Sequence, residues 1–170
     1  MPTFILDTNV FVQAHRRYYA FDLCPGFWGC LEHHCAARLV SIDRVRDEIA
    51  GGDADALANW VATTVSPDLF VSTNTDEVLP SYAEVMRWAQ THAEYTPAAK
   101  AEFAQVADAW LVAYARVIGG VVVSEEVFNP HKKNRILVPN ACQQFGIPCI
   151  NTFDMLRQLP AEFSWAPPPS

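Results

Sequence analysis

Short apolar runs alternate with helical segments along almost the whole chain of 170 residues, and this alternation limits the fold more than any other feature. The strongest strand signal is the β-branched run Val121–Val123, and further buried strands are predicted at Thr3–Leu6, Leu39–Ile42 and Gly146–Ile150. Strands that alternate with helices pair in parallel and are covered by helices on both faces. We therefore expect an α/β protein with a three-layer α/β/α arrangement, in which Thr3–Leu6 and Val121–Val123 are neighbours in the middle of a central parallel sheet.

The remaining elements follow from capping residues and apolar periodicity. The longest predicted helix is Ala98–Ile118, which begins after a threonine and a proline and ends at two glycines. Weaker strand signals lie at Leu69–Ser72 and Ile136–Val138. We expect one domain over residues 1–162 and a Pro-rich C-terminal tail over residues 163–170.

Composition and charge say less about the function than the pattern of elements says about the fold. No apolar run reaches the roughly 18–20 residues that span a bilayer, and the N-terminus has neither the basic region nor the cleavage site of a signal peptide. We therefore expect a cytoplasmic protein with no membrane partner. The net charge of −7 taken alone argues against a nucleic-acid substrate. A cation bound among several acids would reverse the local charge, so net charge does not decide the question.

The cysteines are expected to be reduced thiols, because there are five of them and no export signal. A segment with Cys24, Cys30, His33, His34 and Cys35 raises the question of a zinc site. Its spacings match no common pair of zinc-binding cysteines followed by a distant second pair. Cysteine packed as a small apolar residue on a helix fits the segment better.

Several acids occupy positions that ordinary surface residues do not. Asp7 ends the first predicted strand, and Glu125 and Glu126 follow the Val121–Val123 strand. Asp108 lies in an otherwise apolar helical stretch, where a carboxylate without a partner is costly, and Glu48 is flanked by apolar residues. In open α/β sheets ligands bind at the carboxyl ends of the strands. Carboxylates gathered there favour Mg²⁺ or Mn²⁺, and two such ions can promote phosphoryl displacement.

The order of these motifs resembles the PIN-domain nucleases over nearly the whole chain. Ile5–Val10 matches the family's opening motif, Asp108–Ala115 matches the helix of its third acid, and Ser124–Glu126 follows a strand as the fourth acid does. The segment His15–Trp28 resembles a bacterial branch of the superfamily that was long listed as of unknown function.

This resemblance implies a ribonuclease that hydrolyses RNA phosphodiester bonds with one or two Mg²⁺ or Mn²⁺ ions. Asp7, Glu48 and Asp108 match the first three acids residue by residue. The family more often has Asp or Asn at the fourth position, and here Glu126 is aligned with it, with Glu125 as the alternative. The polar neighbours expected to support the acids are Thr8, Asn9, Ser124 and Glu125.

The family's relatives include the VapC-type toxins of toxin–antitoxin pairs. The resemblance therefore implies a toxin with RNA as substrate and an antitoxin protein as partner, and leaves a homodimer open. Two alternatives remain: a HAD-type phosphatase, which needs an acid where Asn9 stands, and a catalytically inactive PIN-like interaction module. The basic residues expected to contact RNA phosphates are Arg16, Arg17, Lys132, Lys133 and Arg135.

Overall fold

A computed structural model describes all residues from 1 to 170 and contains a five-stranded, fully parallel sheet. Its strands are β1 (Phe4–Leu6), β2 (Leu39–Ile42), β3 (Phe70–Val71), β4 (Val121–Val123) and β5 (Cys149–Ile150). They are ordered β3-β2-β1-β4-β5, so β1 is central and pairs with both β2 and β4. The expected α/β class and the adjacency of β1 and β4 are confirmed.

Nine α-helices cover this sheet, and none of them is both long and apolar enough to cross a membrane. A π-helical turn at Ala14–Tyr18 extends the first helix, and a 3₁₀ turn at Pro67–Leu69 precedes β3. The helices are α1 (Thr8–Gln13), α2 (Pro25–His34), α3 (Asp43–Gly51), α4 (Ala56–Thr63), α5 (Val78–Thr91), α6 (Pro97–Gln105), α7 (Asp108–Ile118), α8 (Val138–Gln144) and α9 (Thr152–Gln158).

The core is one cluster of 41 buried apolar residues around the sheet. All three residues of β1 are fully buried, as expected of a central strand with helices on both faces. The C-terminal tail has no regular structure, yet its first residue, Phe163, packs edge-on against Tyr19 and Phe27. The aromatic ring at the start of the tail therefore belongs to the packed part of the molecule.

The prediction of one helix over Ala98–Ile118 is wrong, because the chain breaks between α6 and α7. Val106 is extended, with φ −94° and ψ 171°. The backbone N–H of Ala107 donates to a carboxylate oxygen of Glu48 at 2.7 Å. This long-range bond replaces a helical one and makes Asp108 the first residue of α7 rather than a residue in the middle of a helix.

The predicted strand at Ile136–Val138 is also wrong. Ile136 and Leu137 are buried but pair with no strand, and Val138 begins α8. The backbone N–H of Val138 donates to Glu126 at 2.8 Å. The apolar run was read as a strand because burial alone does not distinguish a strand from a packed loop.

The connection from α7 into β4 depends on two glycines. Gly119 ends α7 in the left-handed conformation, with φ 66°. A Cβ on Gly120 would lie 2.5 Å from the Cδ1 atom of Ile5 and 3.0 Å from the carbonyl oxygen of Thr3, so a larger residue there would force buried neighbours to shift. This close approach allows β4 to start directly beside β1.

Candidate active site

Four carboxylates meet at the carboxyl edge of the central strands. Asp7 follows β1, Glu126 lies beyond β4, Glu48 projects from α3, and Asp108 begins α7. All four line one cavity of about 240 Å³, together with Thr8 and other neighbours. Segments far apart in the sequence are thus brought together at the sheet edge where α/β proteins bind ligands.

A chain of polar side chains fixes Asp7, which is buried and caps α1. Its Oδ1 accepts a hydrogen bond from the backbone N–H of Thr8 at 2.7 Å, and its Oδ2 accepts one from the Ser124 hydroxyl at 2.8 Å. The Asn9 amide donates to Ser124 Oγ at 3.1 Å and accepts from the backbone N–H of Glu125 at 2.9 Å. These bonds tie the end of β1 to the end of β4.

The carboxylate of Glu48 joins three segments of the chain. One oxygen accepts the hydrogen bond from the N–H of Ala107, and the other accepts one from the Thr8 hydroxyl. Glu48 therefore holds α1, α3 and the start of α7 in register around the cavity.

The side chains of the two consecutive glutamates after β4 lie in different surroundings. Glu126 lines the acid cavity, where one oxygen lies 2.7 Å from Arg135 Nη2 and the other accepts from the N–H of Val138. Glu125 turns to the start of α9, where it accepts hydrogen bonds from the backbone N–H and the hydroxyl of Thr152. The geometry thus places Glu126, and not Glu125, beside the other three acids.

Asp108 differs from the other acids because its carboxylate accepts no hydrogen bond from the protein, although its relative exposure is only 9%. Burial first, and then the charges of Asp7, Glu126 and Glu48, hold the pKa of Asp108 well above its ordinary range, while Arg135 acts in the opposite direction. Its possible partners in an ion pair are engaged elsewhere, since Arg44 stacks on Trp110 and Arg116 pairs with Glu84.

The pKa of Asp7 is raised as well, from 3.8 to about 7. Burial is the largest cause, and the negative charges of Glu126 and Glu48 add to it. The hydrogen bonds from Ser124 and Thr8 stabilise the charged form and lower the pKa in part. The cavity therefore concentrates more negative charge than its protein surroundings neutralise.

The donor set suits a hard divalent cation, because it consists of carboxylate oxygens without cysteine or histidine. The side chains as arranged do not form a metal cage, and no group of three His, Cys, Asp or Glu residues is positioned to hold an ion. The oxygens of Asp7, Glu48 and Glu126 already accept hydrogen bonds or form an ion pair, and only the Asp108 carboxylate is bare.

The five cysteines are all free thiols.

Of the basic residues expected at RNA, only Arg135 lines the acid cavity. Arg16 pairs with Asp53 at 2.8 Å, and Lys133 pairs with Glu94 at 2.9 Å, both away from the acids. The remaining two residues form no ion pair: they are Arg17 and Lys132.

Sequence reasoning missed a second group of residues beside the acids. Arg44 and Trp110 line an adjoining cavity of about 320 Å³, which shares Glu48 with the acid cavity. The available signal was the spacing of Arg44, which lies four residues before Glu48 and so shares a face of the helix with it. The stacking between Arg44 and Trp110 joins distant segments and left no local pattern.

The arrangement of layers and strands defines a PIN-like α/β/α fold. The chain is similar to a chain in the crystal structure of FitAcB from Neisseria gonorrhoeae, with a TM-score of 0.54 and 15% identity over 89% of this chain and 99% of that one. At that identity the likeness shows the fold alone. Residues 4–163 match the model of a family described as a domain of unknown function, DUF4411, so the chain belongs to that family. No curated protein matches the sequence.

Proposed function

We propose that the chain is a metal-dependent ribonuclease that hydrolyses RNA phosphodiester bonds at the acid cavity. The observation that carries the proposal is Asp108, whose carboxylate opens into the cavity without a protein partner, among three further acids. Uncompensated carboxylates in one cavity are costly unless a cation neutralises them. A nuclease that uses divalent ions has this requirement, and Asp108 is the acid here that has no protein partner.

The ligands proposed for Mg²⁺ or Mn²⁺ are Asp7, Asp108 and at least one of Glu48 and Glu126. One or two ions bound there would supply a more acidic water and stabilise charge on the leaving oxygen. The all-oxygen donor set suits such ions, and binding would require Asp7, Glu48 and Glu126 to exchange present partners for the metal. Arg135, which pairs with Glu126, already places one positively charged side chain in this cavity.

The protein's own residues have separate tasks in this proposal. Ser124 and Asn9 hold the Asp7 carboxylate in orientation from the end of β4. Thr8 does the same for Glu48. Arg135 faces the acids with a half-exposed guanidinium, which suits contact with a phosphate of the substrate.

The proposal also includes a toxin role and an antitoxin partner. The sequence resemblance to the VapC-type toxins implies this role, and the PIN-like fold agrees with it. Neither alternative class gains support from the site. Asn9, which stands where a HAD-type phosphatase needs an acid, is bonded to Ser124 and Glu125, and an inactive interaction module has no need of the acid cluster.

The decisive experiment incubates the purified chain with 5′-labelled single-stranded RNA in Mn²⁺, in Mg²⁺ and in chelator. We expect cleavage that requires the ion and is lost in Asp7→Asn, with Asp76→Asn as a control because Asp76 is an exposed acid remote from the cavity. Release of inorganic phosphate from a phosphomonoester without RNA cleavage would favour the phosphatase. Absence of both activities in folded protein with Mn²⁺ would leave only the interaction module.

A further inference from the structure

The cavity next to the acids carries an arginine as well as acids. It shares Glu48 and Val106 with the acid cavity, and Arg44 lies on its wall. Arg44 and Glu48 are four residues apart on α3 and so share one face of that helix. A single turn of α3 therefore presents an acid to one cavity and a guanidinium to the next.

The guanidinium of Arg44 is held in a fixed position. Its central carbon lies 4.3 Å from the ring centroid of Trp110, and Trp110 stacks on Tyr82 at 3.6 Å with 7° between the ring planes. Because the Tyr82 ring fills one face of the indole, the guanidinium lies against the other face. Arg44 Nε also donates to Thr73 Oγ1 at 3.3 Å, and Thr73 is fully buried.

The two terminal amino groups of Arg44 donate to no acceptor in the protein. The carboxylate of Asp43 is 3.9 Å from Nε, and its oxygens already accept hydrogen bonds from Thr73. Asp47 lines the same cavity, but its carboxylate lies 3.1 Å from Arg46. Arg44 therefore presents a rigid pair of free donors to open space, and its side chain is 44% exposed.

We propose that Arg44 is a phosphate-binding residue, which holds a backbone phosphate of single-stranded RNA next to the one at the acids. This assignment rests on the proposed ribonuclease function. A planar guanidinium matches two phosphate oxygens, and stacking on an aromatic ring reduces the freedom lost on binding. Trp110 does not stack a base, because Tyr82 and Arg44 cover both of its faces.

The test measures binding without cleavage. The Asp7→Asn chain in chelator is titrated against a fluorescein-labelled single-stranded oligoribonucleotide, and anisotropy is followed over a series of salt concentrations. Adding Arg44→Gln should weaken binding about tenfold at low salt and reduce the slope of log K against log salt by about 0.7. Arg87→Gln is the control, because Arg87 is an exposed arginine on α5 that forms no ion pair and lines neither cavity; it should change neither quantity.

Arg44→Lys separates charge from geometry and serves if Arg44→Gln melts early. It should retain the salt slope but bind several-fold more weakly, since lysine keeps the charge and loses the planar pair of donors. Equal binding by the Arg44→Gln and Arg87→Gln chains would overturn the assignment, while RNA cleavage by the wild type would leave the proposed function standing. Failure of the chain to bind or cleave any RNA would refute both. Unchanged RNA binding with lost binding of an acidic peptide would assign Arg44 to a protein partner instead.

Discussion

The two adjoining cavities share α3 and the start of α7 but leave opposite charges without a partner. In the acid cavity three carboxylates are hydrogen-bonded and Asp108 is bare. In the neighbouring cavity Arg44 is stacked and bonded through Nε, and its outer donors are bare. Each cavity thus leaves one group without a partner. Asp108 lacks a cation, and the outer donors of Arg44 lack an anion.

This difference would allow a chain with a net charge of −7 to bind a polyanion. Total charge describes long-range attraction, whereas contact with a phosphate depends on individual donors and their positions. The α3 helix separates the two charges by one turn, since Arg44 and Glu48 lie on the same face. An ion at the acids and a phosphate at Arg44 would each complete one cavity.

The largest effect is expected from Asp108→Asn, which removes the unpaired charge from the acid cavity. RNA cleavage should fall by about two to three orders of magnitude, as when a group acting on the reacting atoms is removed. Melting in chelator should be unchanged or slightly higher, because the repulsion from the other acids is relieved. Added Mn²⁺ should stabilise the wild type more than the variant. A variant strongly destabilised in chelator, with an unaltered response to Mn²⁺, would make Asp108 a structural acid.

The pH dependence of stability should also reveal the uncompensated acids. The pKa of Asp7 is raised from 3.8 to about 7 in the folded chain, so its contribution to stability is fully present below about pH 4 and is lost as pH rises through about 7. In chelator, the free energy of unfolding should therefore fall by about 2–4 kcal/mol over this range from this group. Urea unfolding at several pH values measures it. Asp7→Asn should flatten the dependence, and an equally steep curve for that variant would place its origin elsewhere.

The consecutive glutamates after β4 allow a matched test with a smaller effect. Glu126→Gln removes an acid from the cavity and should reduce cleavage about 10–100-fold, the range for groups that support a metal site. Glu125→Gln weakens the contact with Thr152 at the start of α9 and should reduce stability by about 1 kcal/mol with little change in cleavage. Both variants are compared by initial cleavage rate and by melting temperature. The reverse pattern would make Glu125 the fourth acid.

The sequence predicted the fold wherever a local pattern reflects burial. The β-branched run of β4 and the apolar run of β1 correctly indicated two central strands. The break between α6 and α7 was missed, because it depends on the bond between Ala107 and Glu48, 59 residues apart. An apolar, alanine-rich stretch carries no sign of such a bond.

The same limit applies to the candidate site. The four acids were predicted from their order and resemblance, and the structure gathers them in one cavity. The proposed RNA contact at Arg44 was not predicted, because the geometry of Arg44 depends on Trp110 and Thr73, which lie in other segments. Conversely, Arg16 and Lys133 were expected to contact RNA phosphates but form ion pairs with acids in the structure.

The smallest effect is expected from Arg135→Gln, which removes the cation that lines the acid cavity. Arg135 pairs with Glu126 but is 44% exposed, so solvent screens the ion pair and its loss in chelator should cost about 0.5–1 kcal/mol. The same change removes a positive charge that opposes a second cation at Glu126. Mn²⁺ affinity, measured by calorimetry, should therefore rise although the metal-free protein is less stable. Lys133→Gln is the control, because it breaks an ion pair with Glu94 outside the cavity and should leave Mn²⁺ affinity unchanged. Unchanged or weaker Mn²⁺ binding by the Arg135→Gln chain would mean that Arg135 does not compete with the ion, and the contrast between the two cavities would then rest on Arg44 alone.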